Sequence, residues 1–162
     1  MTSYQSIVDQ LETLAIPYEI VNHPPALTTE EADAFIEGKE GVRTKSLFLT
    51  TKKKNAYYLV IMDDSKRLDM DKFRDLAQTP RLRLGPPELI QEKLGSQPGV
   101  VCPFDLINNT DQDVQLYFDR AILAEPIQTF HPGENTKTIF LSTDDLLKFL
   151  DAINYPYQII DL

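Results

Sequence analysis

TKSLFLTTKKKNAYYLVIM, residues 44–62, consists of two apolar runs rich in strand-forming residues, joined by Lys52-Lys53-Lys54-Asn55. Each run has strand length, and four polar residues are far too few for a crossover connection. The stretch therefore reads as an antiparallel hairpin over Thr44–Thr51 and Ala56–Met62. Both runs are apolar almost throughout, so this hairpin needs packing partners on its two faces.

The flanking sequence supplies them. Ile7, Val8, Leu11, Leu14 and Ala15 recur at helical spacing before Pro17, and Tyr18–Val21 reads as a short strand ended by His23-Pro24-Pro25. Thr28-Thr29-Glu30-Glu31 has a capping-box pattern that opens a helix through Ala32 and Phe35, with Gly38 as its stop. Beyond the hairpin, 69–77 is helical with Met70, Phe73 and Leu76 on one face. Arg81–Leu84 is a short strand, and Pro86 begins a helix over 88–94 that Gly95 ends. Segments 114–119, 127–130 and 136–141 are strands. Ser142-Thr143-Asp144-Asp145 caps a last helix through Leu146, Leu147 and Leu150. Strands and helices mix without strict alternation. The expectation is one α/β domain over 1–162, with a mixed, largely antiparallel sheet surrounded by helices.

The totals bound the function. A chain of 162 residues, 42% hydrophobic and 25% charged, forms one domain with a real core. No run approaches the roughly 18 apolar residues of a membrane span. The opening MTSYQSIVDQLE has no basic region of a signal peptide, and Cys102 has no second cysteine to pair with, so a cytoplasmic setting is expected. Neither a CxxC pair nor an HExxH helix is present, which excludes the common zinc patterns; no metal or other cofactor is expected. The net charge of −9 argues against DNA and against general nucleic-acid binding. Even so, Arg43, Lys45, Lys52–Lys54, Lys66, Arg67, Arg81 and Arg83 leave a local positive surface open, the lysine run reading first as a solvated turn.

Three places carry candidate chemistry. Lys45 shares a strand face with Leu47 and Leu49, where it either snorkels to solvent or holds an anionic or carbonyl-bearing ligand. Phe130-His131-Pro132-Gly133-Glu134-Asn135 is a turn whose His131 either braces a loop or meets a ligand. Gly99-Val100-Val101-Cys102-Pro103 brackets three amides between a permissive and a stiff residue. Such a run can form a nest for an oxyanion or a carbonyl oxygen. Cys102 with His131, and a carboxylate such as Asp119, also admits a thiol-hydrolase reading, against the plainer one of Cys102 as a small apolar filler.

Taken together, 18–32 (YEIVNHPPALTTEEA), 44–62, 81–108 and 130–150 resemble, in order and over nearly the whole chain, the YbaK/ProX superfamily of trans-editing aminoacyl-tRNA deacylases. The nearest branch is PrdX (ProXp-ala), related to the insertion domain of bacterial prolyl-tRNA synthetase. The resemblance implies that family's partly barrel-like fold and hydrolysis of alanine wrongly esterified to proline tRNA. Its partner would be the tRNA acceptor end, with prolyl-tRNA synthetase or an elongation factor as further candidates. The family's strand-entrance lysine falls on Lys45, its GxxxP loop on Gly99 to Pro103, and its substrate-binding turn on His131 and Asn135. Where the branch often has Asn after the lysine, this chain has Ser46, whose hydroxyl can replace part of that amide's hydrogen bonding. The family mechanism implied is substrate-assisted, with a ribose hydroxyl of the terminal adenosine activating water.

Overall fold

A computed structural model describes residues 3–162, so the first two residues of the expected 1–162 domain lie outside the described part. The hairpin is present as β2 (Val42–Thr51) and β3 (Tyr57–Asp63), antiparallel from Thr44 opposite Asp63 to Thr50 opposite Tyr57. The turn is closed by Lys54 N–H to the Thr51 carbonyl at 3.0 Å and by the Thr51–Asn55 side-chain bond at 2.7 Å. Lys54 takes a left-handed φ of 55° there.

Alternation along the hairpin divides the core. Phe48, Leu59 and Ile61 enter the main cluster, together with α1 (Ser3–Thr13), α4 (Pro87–Leu94) and α6 (Thr143–Ala152). Leu49, Tyr58 and Val60 face the other way, into a smaller cluster with Phe73 of α3 (Met70–Ala77). On α3 the inward residues are Met70, Phe73 and Ala77, whereas Leu76 is 46% exposed. The expected Met70–Phe73–Leu76 face is thus rotated by one position. The i, i+3, i+7 stripe is what meets the sheet.

Around the hairpin lie β1 (Glu19–Asn22), α2 (Thr29–Phe35), β4 (Leu82–Leu84), β5 (Val114–Asp119), α5 (Arg120–Leu123), β6 (Ile127–Phe130), β7 (Lys137–Ser142) and β8 (Tyr157–Ile160). The strand order is β1-β7-β6-β2-β3-β5-β8, with β4 also on β2. Strand pairs β1–β7, β6–β7, β2–β3 and β2–β4 are antiparallel, and β2–β6, β3–β5 and β5–β8 are parallel. β2 belongs to two sheets at once: Val42 and Arg43 pair with β6, while Thr44 onward pairs with β3 and β4. That shared strand gives the sheet its partly barrel-like character. The path ends at β1 and β8, so the ring is not closed.

Both capping signals form. Thr28 Oγ1 accepts the Glu31 amide at 3.1 Å and Ser142 Oγ accepts the Asp145 amide at 3.0 Å. Glu31 reaches back to the amide of Leu27 rather than to that of Thr28. α2 ends at Phe35, three residues ahead of Gly38, which sits in the following turn at φ 86°.

Candidate active site

The GxxxP loop is fixed from its C-terminal side. Pro103 starts a 3-10 helix, Pro103–Asn108, and Phe104, fully buried, is edge-on to Phe130 at 5.7 Å and to Phe149 at 5.0 Å. These contacts pin the loop exit to the main core. On the entry side Gly95 ends α4 in the left-handed region, and the Val100 amide donates to the Gln97 carbonyl at 3.3 Å. Gly99 turns the chain outward with φ 90°, and a Cβ there would meet no atom within 4 Å. The glycine is needed for its backbone angle, and the space beside it is open.

That open space is the candidate site. A cavity of about 240 Å³ is lined by Thr29, Thr44–Leu47, Gly99, Val101, Phe130 and His131. A larger hollow of about 700 Å³ shares Thr29, Gly99 and His131 with it and continues along Ala26–Thr28, Pro98 and Asn135. Lys45, Ser46, Gly99, Val100, Val101, His131 and Asn135 therefore all line one connected depression. The wall made by Ala26–Thr29 was not legible as part of a site, because its Thr–Glu pattern reads fully as a helix cap.

Lys45 lies opposite Met62, half-buried, and makes no ion pair among the described residues. The charge of Lys45 acts on Asp64. Burial, with the hydrogen bond that protonated Asp64 donates to Asp33 second, pushes the Asp64 carboxyl up to about 8, and the charge of Lys45 only partly opposes this. Asp64 therefore favours its protonated form more than an ordinary carboxylate does, and Lys45 lines the cavity.

The histidine turn is built differently. Burial lowers the pKa of His131, so its imidazole is neutral at pH 7; its Nδ1 lies 3.5 Å from the Lys137 carbonyl. Asn135 is occupied: its side-chain amide donates to the Ala26 carbonyl at 3.2 Å and its own carbonyl accepts the Ala26 amide at 3.0 Å. It clips the 24–28 segment into place as a wall. Gly133, at φ 80°, lies against α1, where an added Cβ would come within 2.7 Å of Ser3 Oγ.

Cys102 is the small buried filler of the plainer reading. Its thiol is fully buried and pushed well above its ordinary range, chiefly by desolvation, so it is neither exposed nor ionised. Asp119, the candidate orienting carboxylate, binds Lys66 Nζ at 3.3 Å and the Leu162 amide at 3.2 Å instead. The thiol-hydrolase arrangement is absent. Nor does the backbone of Cys102 serve as a free donor, since its amide donates to Asp105 Oδ2 at 2.9 Å. Pro103 has no amide hydrogen to give. Among the described residues, the loop amides without an acceptor are those of Gly99 and Val101.

The basic residues do not form one patch. The Arg43 guanidinium is spent on the carbonyls of Ile36, Lys39 and Gly41 at 2.7–2.9 Å, and Lys66 pairs with Asp119. Lys52–Lys54 lie at the far end of β2, about 20 Å from Lys45 at roughly 3.3 Å per residue.

A sequence model of the aminoacyl-tRNA editing domain matches residues 23–149, which includes every residue lining the two cavities. The chain belongs to the aminoacyl-tRNA editing domain family. It is accordingly a hydrolase of the aminoacyl-tRNA deacylase class. This editing domain is 29% identical to the prolyl-tRNA editing protein ProX of Acetoanaerobium sticklandii, over 100% of this chain and 99% of that one. It is 33% identical to prolyl-tRNA synthetase associated domain-containing protein 1 of Bos taurus, over 90% of this chain and 86% of the relative. A crystal structure described as a candidate trans-editing enzyme for prolyl tRNA synthetase superposes with a TM-score of 0.78 at 25% identity, covering 100% of this chain and 97% of the other. Among the described residues no group of histidine, cysteine and carboxylate side chains could hold a metal ion, and no helix is long and apolar enough to cross a membrane.

Proposed function

We propose that this editing domain hydrolyses the ester of alanine mischarged onto proline tRNA, acting in trans. The observation that carries the reading is the cavity between Lys45 and the Gly99 loop. It presents a cation, a neutral imidazole and unpaired backbone amides, and no thiol or carboxylate lines it. That inventory suits an ester, which is already activated, far better than an amide.

In this reading the amides of Val101 and Gly99 receive the developing oxyanion, a contribution of about 3 kcal/mol for one well-placed donor. Lys45 anchors the substrate through its ester carbonyl or terminal phosphate, with the Ser46 hydroxyl beside it. A ribose hydroxyl of the terminal adenosine assists the attacking water. His131 stays neutral and binds; it is not the general base. Selection follows from size, because a pocket excludes a larger side chain by sterics more sharply than a smaller one, so alanine is cleared and cognate proline spared.

The test is deacylation of proline tRNA charged with alanine, cysteine, serine or proline. Alanine should be released fastest and proline left intact. Faster release of cysteine would reassign the substrate. Release of none, with binding retained, would make the protein a tRNA- or synthetase-binding module. Adding prolyl-tRNA synthetase or an elongation factor to the same assay reads out a handover as a rate increase.

A further inference from the structure

Under the loop lies a buried acid to which the deacylase reading gives no role. Asp105 is 0% exposed and sits in the first turn of the 3-10 helix. Its Oδ2 accepts the Cys102 amide at 2.9 Å, and its Oδ1 is 3.4 Å from the Ser3 hydroxyl. Its own amide donates back to the Cys102 carbonyl at 3.1 Å. The buried Ser96 hydroxyl faces the same carboxyl, close enough to favour its charge but without a well-aligned bond. Among the described residues no cation pairs with Asp105, and burial pushes it up to about 7. An unpaired buried carboxyl is unfavourable, and an apolar side chain would fill the same space without that penalty.

Its placement suggests what it is for. Ser96 precedes Gly99 by three residues and Cys102 follows it by three, so the carboxyl touches both flanks of the loop. Cys102 is fully buried, with its amide drawn inward to Asp105, whereas its neighbour Val101 is half-buried and lines the smaller cavity. Of the three amides between Gly99 and Pro103, Val100 is spent on Gln97 and Cys102 on Asp105, which leaves Val101.

We propose that Asp105 is the positioning residue of the site: by holding the Cys102 amide from beneath, it aims the Val101 amide at the position of the oxyanion. This rests on the deacylase reading of the loop. Ser3 extends the device, since it touches both Asp105 and the Gly133 turn that carries His131.

The experiment compares wild type, Asp105→Ala and Asp105→Asn by kcat and KM on alanine-charged proline tRNA, and by amide hydrogen exchange at Val101 and Cys102. Asp105→Ala should lower kcat on the order of 100-fold, the loss typical of one misplaced oxyanion donor, with KM within about twofold. Its Cys102 amide should exchange fast. Asp105→Asn retains an acceptor oxygen and should recover kcat to within about fivefold with Cys102 again protected. An Asp105→Ala enzyme within about twofold of wild-type kcat would overturn the proposal, as would equal losses in both variants accompanied by raised KM. Should Asp105→Ala not fold, wild-type exchange still decides: a fast Cys102 amide or a protected Val101 amide overturns it. A wild-type protein that clears no ester would sink the deacylase reading instead, and the exchange pattern tells the two failures apart.

Discussion

Strand β2 carries Lys45 near its start and runs into the Lys52–Lys54 turn just past its end, and the two settings could hardly differ more. Lys45 is half-buried, lies opposite Met62, lines the cavity beside buried Thr44, and its charge partly opposes the burial-raised pKa of Asp64. Lys52, Lys53 and Lys54 are exposed on a tight turn whose bonds run between backbone and the Thr51 and Asn55 side chains. A unit charge acts several-fold more strongly where water is partly excluded, and exposed charges are screened within about 10 Å at ordinary salt. Local environment, rather than the number of lysines, decides where this acidic protein can hold a substrate.

Lys45→Ala should break that contrast with the largest effect, lowering kcat/KM for alanine-charged tRNA by about 100-fold or more. Wild-type-like turnover would take Lys45 out of the site and make both ends of β2 equivalent. His131→Ala should follow at about tenfold, because a neutral imidazole contributes a hydrogen bond and no charge. Its pH signature has a definite sign. Burial lowers its pKa below 6.5, so the native state favours the neutral ring, and its contribution is intact above pH 6.5 and fades as pH falls below. Wild-type kcat should therefore hold from pH 8 to 6.5 and fall along an acid limb below that, a limb the alanine variant lacks. A limb unchanged in the variant would assign it to another group.

Cys102→Ala tests the same contrast inside the loop, between a backbone amide held by Asp105 and a fully buried thiol packed against the same residue. Turnover per folded molecule should stay within about twofold of wild type, while stability drops by about 1 kcal/mol for the lost buried volume. Abolished activity in a folded variant would restore the thiol as a nucleophile.

How much of this was legible in the sequence follows from the range of the interactions involved. The hairpin, both helix caps and the Gly99–Pro103 bracket are written in residues a few positions apart; the hairpin and caps form as expected, while of the three bracketed amides only that of Val101 is left without an acceptor among the described residues. The parallel pairings of β3 with β5 and of β5 with β8 join segments about 55 and 40 residues apart. Nothing local encodes them; β8 itself, four residues after a proline, gave too short a pattern to read. The site divides in the same way. Lys45, Gly99 and His131 could be picked out as unusual residues in apolar or turn contexts. That the Cys102 amide is taken, and that Asn135 clips the Ala26 wall, depends on partners 3 and 109 positions away. The first is too ordinary to notice and the second too distant to guess. Asp105 went unread because the 3-10 helix Pro103–Asn108 that buries it carries no pattern the sequence reading picked up.

The smallest effect belongs to the far end of β2, and it sharpens the comparison most. Replacing Lys52, Lys53 and Lys54 together with alanine leaves the turn's bonds in place, because these run through the Lys54 backbone, Thr51 and Asn55. The one strained angle, φ 55° at Lys54, was already borne by a residue with a Cβ, so folding should be unaffected. With the chemistry about 20 Å away, kcat should stay within about twofold, and any loss should appear in KM. The salt dependence of kcat/KM separates the remaining alternatives. If the turn touches no phosphate, the slope against log salt is the same in wild type and triple variant; each phosphate contact removed would flatten it by about 0.7 to 0.9. An unchanged slope leaves Lys45 as the cation that matters on β2, whereas a flattened slope with intact kcat would extend the tRNA footprint along the whole strand and leave the catalytic contrast standing.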